Sequence, residues 1–281
     1  MSLDSASICY NTKMTNQGHF DIGYMDTLAA GDSPLHRLDP RVKLITTVVF
    51  IATVVSFNKY AVLNLIPFFS FPIILIMLGG LPVRYILKKV LLVSPFAILV
   101  GIFNPVFDRS VMCHIGSIGI SGGWVSFISI LLRFVLTVTT ALALIALTGF
   151  NSVCIALERF KVPRPFIVQL LFLYRYMFVL SEESERMLKA RAVRSFSGRS
   201  MRFKTFISLV GQLLLRTMDR AERVYRAMCC RGFDGHIRII RALHIDPKDI
   251  IFISIWIALF ISFRFLDISL KMGELVMRIF S

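Results

Sequence analysis

Hydrophobic and polar positions divide this chain into five apolar runs and one long basic stretch. Leu44–Phe57, Tyr60–Leu81, Val90–Phe107 and Ile250–Phe263 contain no charged residue, and Trp124–Phe150 contains only Arg133. Each run predicts a transmembrane helix, five in all. The fourteen positions of the first run, at about 1.5 Å rise per residue, fall short of a hydrocarbon core of ~30 Å. Lys43 and Lys59 at its ends can snorkel to the headgroups, so a short span is still expected there. Asn58-Lys59 reads as a tight turn between the first two spans, and "DRSVMCHIGSIGISGG" as a Gly/Ser-containing loop after the third. Phe166–Ser181 invites a sixth count and is kept out of it.

Between residues 151 and 248 the pattern changes from continuous apolarity to helical periodicity. Asn151 is placed as the N-cap of a short helix that stops at Val162-Pro163. Pro165 suits the first turn of a long helix, on which Glu182–Arg186 and Glu185–Lys189 are acid-before-base pairs at i,i+4. Gly198 is expected to end it. A second long helix starts near Met201, with Phe203, Ile207, Val210, Leu214, Ala221, Tyr225 and Met228 in one apolar stripe. Gln212, Arg216, Asp219, Arg220 and Arg223 take the other side, and Asp219–Arg223 and Glu222–Arg226 repeat the pairing order. Gly232 is the expected C′ residue. The fold class that follows is an all-α polytopic membrane protein of about five transmembrane helices, with a second domain of two long helices outside the membrane.

Composition agrees with the membrane reading and redirects the charge. Hydrophobic residues are 56% of 281, the mean hydropathy is +0.72 and only 17% of residues are charged, too apolar for a soluble domain. The 25 Phe against 2 Trp point to lipid-facing and packing aromatics. The net charge of +15 is concentrated in residues 151–248, where 19 Lys and Arg face 8 Asp and Glu. With the N-terminus inside, the segment carrying Arg84, Lys88 and Lys89 and the basic region both lie on the cytoplasmic side, as the positive-inside rule requires, and the C-terminus lies outside. Nucleic acid is a poor partner, because a polyanion binder has little use for Glu182, Glu185, Asp219 and Glu222. No cleavable signal peptide is expected, since the N-terminal segment has no apolar h-region.

Chemistry is mostly excluded. None of the sixteen glycines is followed by lysine, so there is no P-loop and no ATP hydrolysis by this chain. The apolar runs carry no Asp or Glu, which disfavours a proton- or sodium-coupled carrier. Arg133 is read as structural, satisfying backbone carbonyls. Cys113-His114, the unpaired His36, His236 and His244, and the adjacent Cys229 and Cys230 form no metal constellation. No nucleophile has a base beside it. No catalytic residue, metal ligand or cofactor is assigned. What stands out is a duplication: Ala190-Arg191-Ala192 and Cys230-Arg231-Gly232 sit at the ends of the two long helices. An arginine in a last turn offsets the helix macrodipole; two of them also suit bidentate contacts with carboxylates on a partner.

With "SPLHRLDPRVKL" before the first span, "GFNSVCIALERFKVPRPFIVQLLFLYRYMFVL", "ARA" and "LLLRTMDRAERVYRAMCCRGFDG", the chain resembles the transmembrane T component of energy-coupling factor transporters over nearly its whole length, in its cobalt-type CbiQ branch. The resemblance implies a cytosolic N-terminal segment (1–43), a four-span membrane domain (44–150), a basic cytoplasmic coupling domain (151–248) and a last helix with a short tail (249–281). It implies ATP-binding-cassette ATPase subunits and a metal-specific, substrate-binding membrane subunit as partners, with membrane lipids around the spans. Arg191 and Arg231 are then the coupling arginines. Ala192 stands where the family usually has glycine and Cys230 where it usually has alanine. Cobalt is the implied ion, nickel the alternative, and an autonomous carrier the competing class.

Overall fold

The computed structural model describes residues 24–58, 62–107, 111–115, 118–194, 203–235 and 246–265. Each predicted apolar run is helical, with boundaries set by proline and glycine. α1 (Pro34–Arg37) and α2 (Pro40–Val55) both start on proline. The second run is broken: 3₁₀ turns at Leu63–Leu65 and Pro67–Phe69 precede a ten-residue α3 (Ser70–Gly79). Pro67 and Pro72 lack the N–H groups an unbroken helix would use. α3 stops at Gly80, whose φ of +62° is left-handed, the conformation glycine adopts without a Cβ clash. α4 (Val83–Gly101) starts seven residues before the third apolar run, so Arg84, Lys88 and Lys89 lie in its first turns, not in a loop. α5 (Phe103–Phe107) extends it.

The loop expected next is a two-stranded antiparallel hairpin, β1 (Val111–Ile115) and β2 (Ile118–Ser121), with Cys113 opposite Ile120 and Ile115 opposite Ile118. Its β-branched residues favour extended backbone over coil. α6 (Gly122–Thr148) follows. Gly149 at φ +74° separates it from α7 (Phe150–Arg159), so Asn151 is inside the helix and not its N-cap. Lys161, left-handed at φ 62°, ends that segment just ahead of Val162-Pro163. α8 (Arg164–Arg194), α9 (Phe203–Cys230) and α10 (Pro247–Phe265) complete the chain. Gly198, the expected end of α8, lies outside the described residues. Among these helices Val83–Pro105, Gly122–Thr148 and Arg164–Arg194 are long and apolar enough to cross a membrane. Apart from the hairpin the protein is an all-α membrane protein. The third of those helices is α8, the one kept out of the span count.

The described residues form two compact units. In the first, α2, α3, α4, α6 and α10 pack around aromatic rings. Phe71 lies 4.8 Å from Phe50, 4.6 Å from Trp256 and 5.2 Å from Phe260, centroid to centroid. Phe50, Phe68, Phe71 and Phe260 are fully buried, and tilted and edge-on pairs of this kind add about 0.5–1.5 kcal/mol each beyond area burial. Helix α6 reaches its neighbours through missing side chains: a Cβ on Gly79 would sit 2.6 Å from Leu147, and one on Gly101 2.8 Å from the Phe127 ring.

Polar groups fix the ends of this unit. The Asp249 carboxylate, buried to 3% exposure, accepts from the backbone N–H of Asp39 at 3.0 Å and of Asp246 at 2.9 Å. One side chain thereby holds the N-termini of α2 and α10, where negative charge is favoured. Asp39 caps α2 through the Arg41 N–H at 2.9 Å. Buried Lys43 donates to the carbonyls of His36 and Leu147, both at 3.2 Å, the latter in the last turn of α6. At the other end of α2, Arg133 donates to the Asn58 carbonyl at 2.5 Å. Arg264 donates to Ser56 at 3.3 Å with its guanidinium 4.3 Å from the Phe57 ring centre. Arg133 thus does the structural work expected of it.

Asp249→Ala strands the buried N–H of Asp39 and frees that of the exposed Asp246, and is expected to cost about 1–3 kcal/mol, read as a fall in the thermal midpoint of the detergent-solubilised protein. His36 provides a second check. Its Nε2–H donates to the Leu28 carbonyl at 3.0 Å, which leaves Nδ1 to accept from Ser33 at 2.6 Å, the pattern of a neutral ring. Burial is the main cause that lowers its pKa below the ordinary 6.5, and Lys43 adds to it. A lowered histidine favours the folded state most above pH 6.5, and that contribution is lost as the pH falls through the folded value. The midpoint should therefore drop on acidification, and drop less in a His36→Asn variant.

Candidate coupling surface

The second unit is dominated by two long helices. The first half of α8 is apolar, and a polar second half follows from Ser181. Of the sequence-expected pairs, Glu182–Arg186 at 3.6 Å, Glu185–Lys189 at 3.5 Å and Glu222–Arg226 are formed. Asp219–Arg223 is not an ion pair among the described residues. Arg216, placed on the polar side of α9, reaches across to Glu183 of α8, a link that i,i+4 reasoning cannot find. Tyr174 of α8 donates to Asp26 at 2.6 Å.

The apolar stripe of α9 is real and open. No residue of α9 is buried, and Phe203, Ile207, Leu214, Leu215, Met218 and Tyr225 are all exposed. Between α8 and α9 runs a mostly apolar groove that includes Leu173, Tyr176, Met218, Val224, Met228 and Phe233. Sequence periodicity identified the stripe but not the groove, which needs the relative rotation of the two helices.

The two arginine tripeptides differ in local structure. Cys230 is the last residue of α9, Arg231 follows it in an exposed turn, and Gly232 takes φ +75°. The N–H groups of Gly232 and Phe233 return to the carbonyls of Cys229 and Met228, each at 3.0 Å, the paired bonds of a Schellman motif. Gly232 is therefore the C′ residue the sequence indicated. Ala190, Arg191 and Ala192 lie one turn earlier in their helix, since α8 continues to Arg194. Arg191 is half-buried and Ala190 and Ala192 are exposed. Neither Arg191 nor Arg231 enters an ion pair or side-chain hydrogen bond among the described residues, a property shared with Arg220 and Arg223. Cys229 and Cys230 are exposed free thiols, and the contact of Cys229 with Tyr225 raises the tyrosine pKa. No group of three or more metal-ligating side chains occurs among the described residues.

One unit is a bundle of apolar helices and the other holds two long helices with an exposed apolar stripe, which is the architecture of a membrane protein. The chain belongs to the CbiQ family, described as cobalt transport protein, which matches residues 31–240. It is similar to the energy-coupling factor transporter transmembrane protein EcfT of Bacillus subtilis, 31% identical over 224 residues, covering 73% of this chain and 82% of that one. The corresponding EcfT of Heliobacterium modesticaldum is 32% identical over 240 residues, covering 78% and 87%. An uncharacterized protein of Methanocaldococcus jannaschii is 31% identical over 229 residues, covering 78% of each chain.

The left-handed residue at the end of α9 provides a local test. A Cβ on Gly232 would meet nothing within 4 Å, so a Gly232→Ala substitution adds backbone strain without a clash. The expected cost is about 1–2 kcal/mol, seen as faster amide hydrogen exchange over the last turn of α9 while α8 exchange stays unchanged.

Proposed function

We propose that this chain is the transmembrane coupling subunit of an ATP-driven importer of the energy-coupling factor type, with cobalt as the transported ion. The observation that carries the reading is the pair of long helices α8 and α9, each bearing, in or beside its last turns, an arginine with no ion pair among the described residues. The family match and the similarity to EcfT proteins support it. In this reading residues 44–150 and the last helix form the membrane domain, and residues 151–248 form a cytoplasmic coupling domain in an inner membrane. Arg191 and Arg231, flanked by Ala190, Ala192, Cys230 and Gly232, enter carboxylate-bearing grooves on two ATP-binding-cassette subunits. Fork-shaped guanidinium groups suit such contacts, which place a planar charge against two oxygens.

The ATPases close on ATP, the two helices follow, and the membrane helices pass the motion to a separate metal-binding subunit. The protein has no catalytic step of its own in this scheme. Cobalt rests on the family description; a nickel importer would use the same scaffold, because ion recognition belongs to the other membrane subunit. An autonomous carrier lacks support from the sequence, since no predicted span contains an acidic residue.

Replacing both arginines by glutamate (R191E/R231E) is expected to abolish ATP-dependent metal uptake and to reduce co-purification of the ATPase subunits by about tenfold or more, as expected when buried charge-paired contacts are reversed. Unchanged uptake and unchanged co-purification would show the assignment to be wrong. Metal uptake by the purified chain alone in liposomes, without ATPase, would establish the carrier instead.

A further inference from the structure

Arg84 and Lys88 of α4 lie in a part of the chain that holds no carboxylate. Arg84, Lys88 and Lys89 fall in the first seven residues of α4, and the whole stretch from Pro40 to Phe107 contains no Asp or Glu. Arg84 and Lys88 are exposed, with no ion pair among the described residues. Four residues apart, they stand one above the other on the same face, an arrangement in which like charges destabilise a helix. The positive N-terminal end of the helix dipole adds to that repulsion. Lys89 lies 5.6 Å from the centre of the Tyr85 ring. On α8 and α9 carboxylates are interspersed among the cations, and Arg186, Lys189, Arg216 and Arg226 each have one.

The surface next to this charge is apolar and open. Leu87, Leu91, Leu92 and Phe96 are 63%, 69%, 72% and 70% exposed, on a helical stretch, Val83–Pro105, long and apolar enough to cross the bilayer. Two unneutralised cations thus sit at the rim of a lipid-facing helix surface. We propose that Arg84 and Lys88, with Lys89 beside them, bind the phosphate headgroup of an anionic glycerophospholipid whose acyl chains lie along Leu87 and Leu91. The partner is a lipid and not a soluble phosphate, because the charged and apolar parts of the surface are continuous and one amphipathic molecule covers both. Neutralising the pair removes the repulsion and fixes the level of α4 at the membrane surface.

The test is native mass spectrometry of the full-length protein, with any subunits that co-purify, in mild detergent. Phosphatidylglycerol and phosphatidylcholine of equal chain length are titrated separately. The wild type should retain phosphatidylglycerol in preference. Lys88→Gln should weaken that retention about fivefold and R84Q/K88Q by about tenfold or more, while R220Q/R223Q on α9 keeps it. Retention by the wild type should also fall as salt rises, which tests the electrostatic component without any substitution. Equal retention of the two lipids by the wild type overturns the proposal, as does wild-type retention in R84Q/K88Q. Displacement of phosphatidylglycerol by an equal concentration of glycerol phosphate does so too, because the acyl chains would then contribute nothing.

Discussion

The carboxylate of Asp249 holds together parts of the chain that lie 210 residues apart. A membrane bundle built from short helices has exposed N–H groups at every N-terminus, and in a low-dielectric setting each one left unpaired is costly. Here one acidic side chain answers for two of them, at the starts of α2 and α10. Other helix ends are closed in the same economical way, those of α1 and α6 by Lys43 on the carbonyls of His36 and Leu147, and that of α2 by Arg133 and Arg264 on the carbonyls of Asn58 and Ser56. Between these ends lies the phenylalanine-rich centre, where Phe50, Phe68, Phe71 and Phe260 are fully buried. This also gives a physical account of "SPLHRLDPRVKL": His36, Asp39 and Lys43 are the polar frame at the start of α2.

Much of this was legible in the sequence, and the failures share a cause. Apolar runs located the helices because burial and lipid exposure both demand hydrophobic side chains over a long stretch. Hydropathy, however, reports the membrane and not the hydrogen-bonding pattern. It therefore put the start of the third helix after Lys89, when the backbone is helical from Val83. It also passed over Pro67 and Pro72, which shorten α3 to ten residues. The hairpin at 111–121 was read as a loop on its glycines and serines, although Val111, Ile115, Ile118 and Ile120 carry the β-branched signal.

Local electrostatics was more legible than long-range electrostatics. Acid-before-base pairs on α8 and α9 formed at Glu182, Glu185 and Glu222 because a helix brings i and i+4 together whatever the tertiary structure. The link from Glu183 to Arg216 depends on how the two helices are rotated against each other, and it uses an arginine that the one-dimensional pattern placed only on the polar side of α9. The candidate coupling residues divide in the same manner. Gly232 was readable as a helix terminator because left-handed backbone favours glycine. Arg191 lies three residues before Arg194, the last described residue of α8, and the expected end at Gly198 falls outside the described residues.

The closing turn of α9 has a mechanical meaning. Twenty-eight residues at 1.5 Å each make a rod roughly 40 Å long, and the two backbone bonds that fold Gly232 and Phe233 back onto it leave no slack between Arg231 and the helical axis. Those bonds satisfy carbonyls that an unclosed helix end would leave free to fray. The last turn is thereby tied to the rest of the helix, and Arg231 is held at a fixed place relative to its axis.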